Sequence, residues 1–387
     1  MSAAAPPTTP PPPPVDPEAG ALVTVPLDQV ERELDRQLKS AQGPGEAPVV
    51  RARMSNQIVY CNDPARADEL AAVIPEIVSV HPSRVLLVVD DRDGPSDTLS
   101  ASVWTRVHRV GTGLRAFSEM IVLRADGPGC RHLPFAVRSL LIGDLPTNVW
   151  WTPYSPPSMA GAILYDLAER ADQVIYDSYG WPEPARGIAA TATWLRQFER
   201  TREQGGYRVA SDLTWRRMKT WRRLVAQALE PVYASGGIES VSEVTMDHGP
   251  HSVSAAWTLA SWLSLRLGWK VAAAHVTPGV EIAWRFESPK GERLIRVRRQ
   301  AEAPRGVQQI RIACAIDGKP ATLVLSQADP KRLQIEVEGD GTPPSTITIA
   351  QQSVAELLGR QLSDRERDPV FLESMAVAQQ LAQSVIG

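Results

Sequence analysis

The stretch SRVLLVVDD, residues 83 to 91, restricts the fold more than any other. Val85 to Val89 are apolar without a break, and charged residues bound them. Successive side chains of a strand point to opposite faces, so such a run needs cover above and below. It predicts a central strand in a layered fold, with helices against the sheet. The segment DLPTNVWWTPYSPP, residues 144 to 157, raises a related demand. If Asn148 to Trp151 is extended, Trp150 and Trp151 cannot both enter one core. Burying one tryptophan is worth about 4–6 kcal/mol at ~25 cal/mol per Å². Either this strand is also covered on both faces, or one ring serves another purpose.

Strand and helix patterns alternate from about 48 to 180. MSNQIVYC reads as a strand, and PARADELAAVIPEIVSV as a helix with Leu70, Ile74 and Ile77 on its apolar side. LSASVWTRVHRV and FSEMIVLRADG read as two further strands. LPFAVRSLLIGD is a helix, TNVWW a strand, SMAGAILYDLAERA a helix and DQVIYDS a strand. Upstream, Val30, Leu34 and Leu38 mark a short amphipathic helix, stopped by GPGEAP.

Residues 183–270 are mainly helical in pattern. In DLTWRRMKTWRRLVAQALEP, Trp215, Met218, Trp221, Val225 and Leu229 share a face, and Asp212 or Thr214 can cap the N-terminus. Arg222 falls on that apolar face and needs a partner or a route to water. SVSAAWTLASWLSLRLGW has no charge before Arg266, which predicts a centrally buried helix. From 271 the period becomes two. EIAWRFE aligns Ile282, Trp284 and Phe286, and QIRIACAI aligns Ile310, Ile312, Cys314 and Ile316. Asp317–Gly318 signals a hairpin, RLQIEVEG and STITIA continue the meander, and two helical patterns close the chain. The expected organisation is a proline-rich disordered tail (1–20), an α/β domain with a mixed sheet (21–182), a helical middle segment (183–270) and an α+β domain with an antiparallel sheet (271–387).

Composition narrows function by exclusion. A net charge of −3 gives little pull toward nucleic acid or anionic membranes. No run of about 18 apolar residues occurs, so no helix is expected to span a membrane. The start lacks the basic and apolar regions of a secretory signal, and a cytoplasmic location is expected. Cys61, Cys130 and Cys314 lie far apart, without metal-ligand spacing.

Chemical motifs are sparse. Gly111, Gly113 and Ala116 form a G-x-G-x-x-A arrangement, but SEMIVL follows as a strand and no acid stands where a dinucleotide site needs one. A loop between antiparallel strands is the plain reading. His248 and His251 are the one close histidine pair, and they read as a loop before a helix. His81 precedes a proline and reads as part of a turn. Asp144 precedes Leu-Pro at a helix-to-strand turn, where an aspartate bonds backbone N–H groups more often than it acts as a base. Asp90, Asp91 and Asp93 read as a solvated acidic turn or as a cation site. Cys130, in DGPGCRHLP beside Arg131, is the candidate reactive thiol, with an ordinary free thiol as the alternative. Arg285, Arg296, Arg298 and Arg311 can line the polar face of the antiparallel sheet as solvated residues or ion-pair partners. Eleven tryptophans and many arginines are the types most enriched in binding hot spots.

HPSRVLLVV, SEMIVL, LLIGDLPTNVWW, ADQVIYDS, DLTWRRMKTWRRLVAQ and AAWTLASWLSLRLGW occur in an order that resembles the OpcA family of glucose-6-phosphate dehydrogenase assembly proteins. The likeness covers roughly residues 50–330. It implies a non-enzymatic protein without a cofactor, which binds glucose-6-phosphate dehydrogenase, promotes its active oligomer and raises its response to substrate. It also implies a role in the oxidative pentose phosphate pathway and, in photosynthetic bacteria, a redox link through thioredoxin, with Cys130 the candidate here. Asp144, Pro146, Trp150, Trp151, Trp215, Trp221 and Arg222 are the candidate partner-binding residues. On this reading one ring of Trp150 and Trp151 fills the sheet core. The other packs against the helical middle segment near Trp215 and Trp221, or helps form the dehydrogenase-binding surface; the alternative is that both rings are buried between layers. A partner that prefers the active oligomer shifts the population by its differential affinity alone. The alternative is a sugar-phosphate or nucleotide-binding enzyme, which predicts a deep pocket at the strand ends with convergent arginines and a perturbed acid. RNA binding, a third reading, predicts strongly salt-dependent affinity.

Overall fold

The computed structural model describes residues 22–42, 48–110, 114–199, 208–341, 343–350 and 352–387. The proline-rich tail, Gly111 and Gly113 lie outside the described residues.

The first sheet is assembled from β1 (Val23–Val25), β2 (Val49–Val50), β3 (Ser55–Cys61), β4 (Ser83–Asp91), β5 (Thr98–Val110), β6 (Leu114–Asp126), β7 (Thr147–Trp151), β8 (Gln173–Tyr176) and β9 (Val209–Asp212). Its order is β1-β5-β6-β4-β3-β7-β8-β9, with β2 beside β6. β4 is central, parallel to β3 on one side and β6 on the other, and Val85 to Val89 are buried on both faces. The antiparallel pairs β1–β5 and β5–β6 make the sheet mixed. Ala116 lies in β6, so the G-x-G-x-x-A segment ends inside an antiparallel strand and not at a helix start.

Six helices interleave with these strands or close over them. They are α1 (Val30–Ala41), α2 (Ala67–Val80), α3 (Leu133–Leu140), α4 (Ala162–Ala168), α5 (Pro184–Phe198) and the short α6 (Leu213–Arg217). α1, α3, α4 and α5 share one apolar cluster with one sheet face, while α2 packs in a separate cluster on the other. Asp212 caps α6 by accepting from Thr214 N at 2.9 Å. The DLTWRR helix breaks at Met218, and α7 (Lys219–Ala228) continues its apolar face through Trp221, Leu224 and Val225. A single turn, α8 (Gly237–Ser240), follows.

The second sheet contains β10 (Glu243–His248), β11 (Lys270–Thr277), β12 (Glu281–Ser288), β13 (Gly291–Arg299), β14 (Val307–Ile316), β15 (Lys319–Asp329), β16 (Arg332–Val337) and β17 (Ser345–Thr348). The order is β11-β12-β13-β10-β14-β15-β16-β17. The helical middle segment therefore donates one strand to each sheet: β9 to the first, β10 to the centre of the second. β10 pairs parallel with β13, and every other pairing in this sheet is antiparallel. Asp317 (φ 50°) and Gly318 (φ 75°) form the hairpin between β14 and β15, as a two-residue turn requires.

Helix α9 (Val253–Leu267) lies between the halves, and Trp257 meets Trp284 edge-on at 4.8 Å. Ser353 and Glu356 form a reciprocal capping box on α10 (Val354–Ser363), which joins α2 on the second face of the first sheet. The last helix, α11 (Pro369–Ile386), packs on α5 and α9. The outer arginines of the second sheet pair with its own carboxylates: Arg296 with Glu243 and Glu281, Arg298 with Asp247, Arg311 with Glu338.

Candidate functional site

The parallel strands β6-β4-β3-β7-β8-β9 run third, second, first, fourth, fifth, sixth when counted along the chain. The order reverses between β3 and β7. The following helices lie on opposite faces there, α2 in one cluster and α4 in the other. Open α/β sheets bind ligands in the crevice beyond the carboxyl ends of the strands at such a switch point. Here the crevice widens into a cavity of about 1170 Å³, closed on its far side by β11, β12 and β13 of the second sheet.

Both tryptophans stand at this edge. Trp151 stacks on Tyr60, with ring centroids 4.5 Å apart, and its Nε1 donates to Ser155 O at 2.9 Å. Trp150 enters the opposite cluster with Ile175, Leu213 and Leu358. They are only 4% and 3% exposed for Trp150 and Trp151 respectively. Of the alternatives, burial of both rings between layers is the one realised, with Trp150 meeting Leu213 of the helical middle segment. The strand is sandwiched, each ring fills a different core, and a docking surface has to be sought elsewhere.

The turn after β3 sets the chemistry of the crevice. Asp63 accepts from Ala65 N at 3.0 Å, and Pro64 supplies no N–H. A carboxylate thus occupies the place where a glycine turn would meet a pyrophosphate. Arg66 then points its Nη1 at Thr152 O (2.9 Å) and lies over the Tyr154 ring at 4.3 Å. Its Nε is buried with no partner among the described residues. On the neighbouring wall Arg217 pairs with Asp177 at 2.9 Å and lies over Tyr179, whose hydroxyl meets Ser252 Oγ at 2.9 Å. His248 Nδ1 lies 2.7 Å from Gly249 O and donates to it, and burial lowers its pKa; in the neutral ring Nε2 is then the acceptor. Arg299 and Arg305 complete the lining. Behind the wall Asp212 is buried, and that burial, with Asp177 as the next cause, pushes its carboxyl up to about 7. It accepts from Ser178 N and Oγ at 3.0 and 2.6 Å.

The other sequence candidates lie elsewhere. Asp144 is exposed, and the carboxylate that accepts from the start of β7 is Asp172, which receives Thr147 N at 2.9 Å. Pro146 uses its carbonyl to accept from Asn56 N. Trp215 and Trp221 are buried, and Trp215 Nε1 donates to Asp368 at 2.8 Å. Arg222 finds its outlet by stacking on Trp215 at 3.5 Å and donating to Trp215 O at 2.7 Å, and burial lowers its pKa to about 10. These three line a smaller cleft beside Asp368 or the core next to it, so the proposed residues form no single surface.

Cys130 sits in a 3-10 turn (Gly127–His132) and is a buried free thiol. Burial and the nearby Asp90 push its thiol up to about 12, the opposite of an activated thiolate. Asp90 is also buried, accepting from Tyr60 Oη at 2.6 Å and pairing with Arg92, so it is not a solvated turn residue. Among the described residues no group of His, Cys, Asp and Glu side chains could hold a metal, and no helix is long and apolar enough to cross a membrane. Sequence reasoning missed Arg66, Arg299 and Arg305. Arg66 had one signal, the Asn62–Asp63–Pro64 turn directly after a strand, and Arg299 and Arg305 had none nearby.

Two family models match the chain. One, described as the glucose-6-phosphate dehydrogenase subunit N-terminal domain, matches residues 75–193, and its C-terminal counterpart matches 208–375. A Synechocystis protein named OpcA and assigned to the OxPP cycle is 21% identical over 334 residues, covering 81% of this chain and 66% of its own length. The Nostoc punctiforme protein of the same name is 23% identical over 332 residues, with coverage of 81% and 66%. The chain thus spans just under two thirds of these relatives. Among solved structures, an oxidoreductase-class protein from Parabacteroides merdae is similar at 10% identity and a TM-score of 0.49, covering 88% of this chain and 99% of that one. That likeness is too distant to carry an argument.

Proposed function

Because the chain belongs to the OpcA family of glucose-6-phosphate dehydrogenase assembly proteins, we propose that it binds that dehydrogenase, favours its active oligomer and raises its response to substrate, supporting the oxidative pentose phosphate pathway. The family match over most of both halves carries this reading. The protein acts by contact and makes or breaks no bond itself.

The tryptophans are structural, so the contact falls to other apolar side chains. Phe135 on α3 and Tyr165 on α4 are 72% and 59% exposed. They stand one helical turn before Arg138 and Glu169, whose ion pair at 2.9 Å ties the two helices side by side. Met159, 66% exposed, lies in the turn that leads into α4. Exposed aromatics on adjacent helices are the kind of anchor that dominates binding. A tenfold shift in an oligomer equilibrium needs only about 1.4 kcal/mol of differential affinity.

The test is to add the purified chain to glucose-6-phosphate dehydrogenase and follow the rate against substrate concentration. The wild-type chain is expected to raise the response. The Phe135→Ala, Tyr165→Ala double variant is expected to need roughly tenfold more protein for the same effect, the cost of one or two lost anchors. A dehydrogenase that ignores the wild-type chain removes the reading. Equal potency of the variant removes the α3–α4 surface alone.

A further inference from the structure

The cavity at the switch point has no role in an interaction confined to α3 and α4, yet it is furnished for a ligand. Three guanidinium groups line it without a carboxylate partner among the described residues: Arg66, Arg299 and Arg305. The other arginine in the wall, Arg217, is neutralised by Asp177. The lining's other carboxylates are Glu281, which pairs with Arg296, and Glu69, so the three arginines still outnumber the one unpaired carboxylate among the described residues, and a large cavity with surplus cations selects an anion. Tyr154, Tyr179 and Trp181 supply flat apolar faces, and His248 Nε2 supplies an acceptor. Flat faces with a hydroxyl acceptor suit a sugar ring, and guanidinium forks suit phosphate.

We propose that this cavity binds a phosphorylated sugar, its phosphate held by Arg299 and Arg305 with the Arg66 guanidinium in the same lining, and its ring lying against the aromatic wall near His248. A dinucleotide is disfavoured by the same geometry. Asp63 fills the turn where a pyrophosphate would sit, and the turn contains no glycine to let a phosphate approach the backbone. The site is read as a binding site: among the described lining residues no nucleophile is paired with a base, so the ligand reports its presence and leaves unchanged. Ligand bridging Arg66 of the first sheet and Arg299 of the second would tie the two halves together.

The experiment is calorimetric titration of the full chain, without any dehydrogenase, using glucose 6-phosphate, glucose, inorganic phosphate and NADP as probes. Glucose 6-phosphate is expected to bind more tightly than inorganic phosphate, and glucose not measurably. Arg299→Ala and Arg305→Ala are each expected to weaken binding roughly tenfold, the loss of one charged hydrogen-bonding partner. Both side chains are exposed, so the variants keep the fold. Absence of binding by every probe overturns the proposal, as does unchanged affinity in the double variant. Inorganic phosphate matching glucose 6-phosphate would remove the sugar, and tighter binding of NADP would replace it with a dinucleotide. Since no dehydrogenase is present, failure here leaves the assembly reading untouched, and the converse holds.

Discussion

The two ends of the first sheet use arginine in opposite ways. Toward the amino end of β4, Arg84 lies beside Glu119 of β6 in register, and its Nε donates to that carboxylate at 2.8 Å. Arg51 and Arg53 reach the same carboxylate at 2.7 Å each. Arg84 also pairs with Glu31 of α1 and donates to Leu140 O. Glu119 is 1% exposed, so every charge there is answered and the cluster fastens α1 and the β2 segment onto the sheet. At the carboxyl ends, Arg66 and, from the second sheet and the loop after it, Arg299 and Arg305 line a cavity in which no ion pair engages them among the described residues. Neutralised arginines of this kind hold structure. Arginines left over in a cavity hold something else.

The sharpest way to break that comparison is at Glu119. Glu119→Gln leaves three guanidinium groups without their buried counter-charge, and a loss of ~3–5 kcal/mol in urea unfolding is expected. An unchanged midpoint would mean that the amino-end cluster is not structural. Asp212, behind the cavity wall, gives an intermediate effect with a defined sign. Its folded pKa of about 7 exceeds the value of about 3.9 in an unfolded chain. Between those values the unfolded chain has released a proton that the folded one retains, so stability falls as pH rises, by up to ~1.4 kcal/mol per unit. The slope ends above the folded pKa. Asp212→Asn should flatten this part of the profile, and an unaltered slope would assign it to other groups. The smallest effect is expected from Arg299→Ala with Arg305→Ala: thermal unfolding within ~0.5 kcal/mol of wild type, since neither side chain has a structural partner. A large loss would place them with the Glu119 cluster.

Much of the fold was legible because its signals are local. SRVLLVVDD announced β4, the period-two segments announced β12 and β14, and Asp317–Gly318 announced their neighbour's hairpin. The alternation that puts Trp150 and Trp151 into different cores was readable from the strand period alone, but what covers each face was not. Trp150 is covered partly through α10, some two hundred residues downstream. The cavity was illegible for the same reason. It exists because β7 docks beside β3 and the second sheet folds over their ends, and no local pattern encodes either pairing. For Cys130 the ordinary free thiol is the alternative the structure favours: the Gly-Pro-Gly stretch forms a 3-10 turn that packs the thiol beside Asp90, a long-range contact no local pattern encodes.

The central claim is contact with glucose-6-phosphate dehydrogenase that changes its assembly. The most direct measurement is the mass distribution of that dehydrogenase in solution, taken by light scattering with and without the full chain at matched concentrations. A shift toward the larger, active oligomer, with this chain bound to it, is the predicted result. A distribution identical in both samples, with the chain migrating alone, would contradict it.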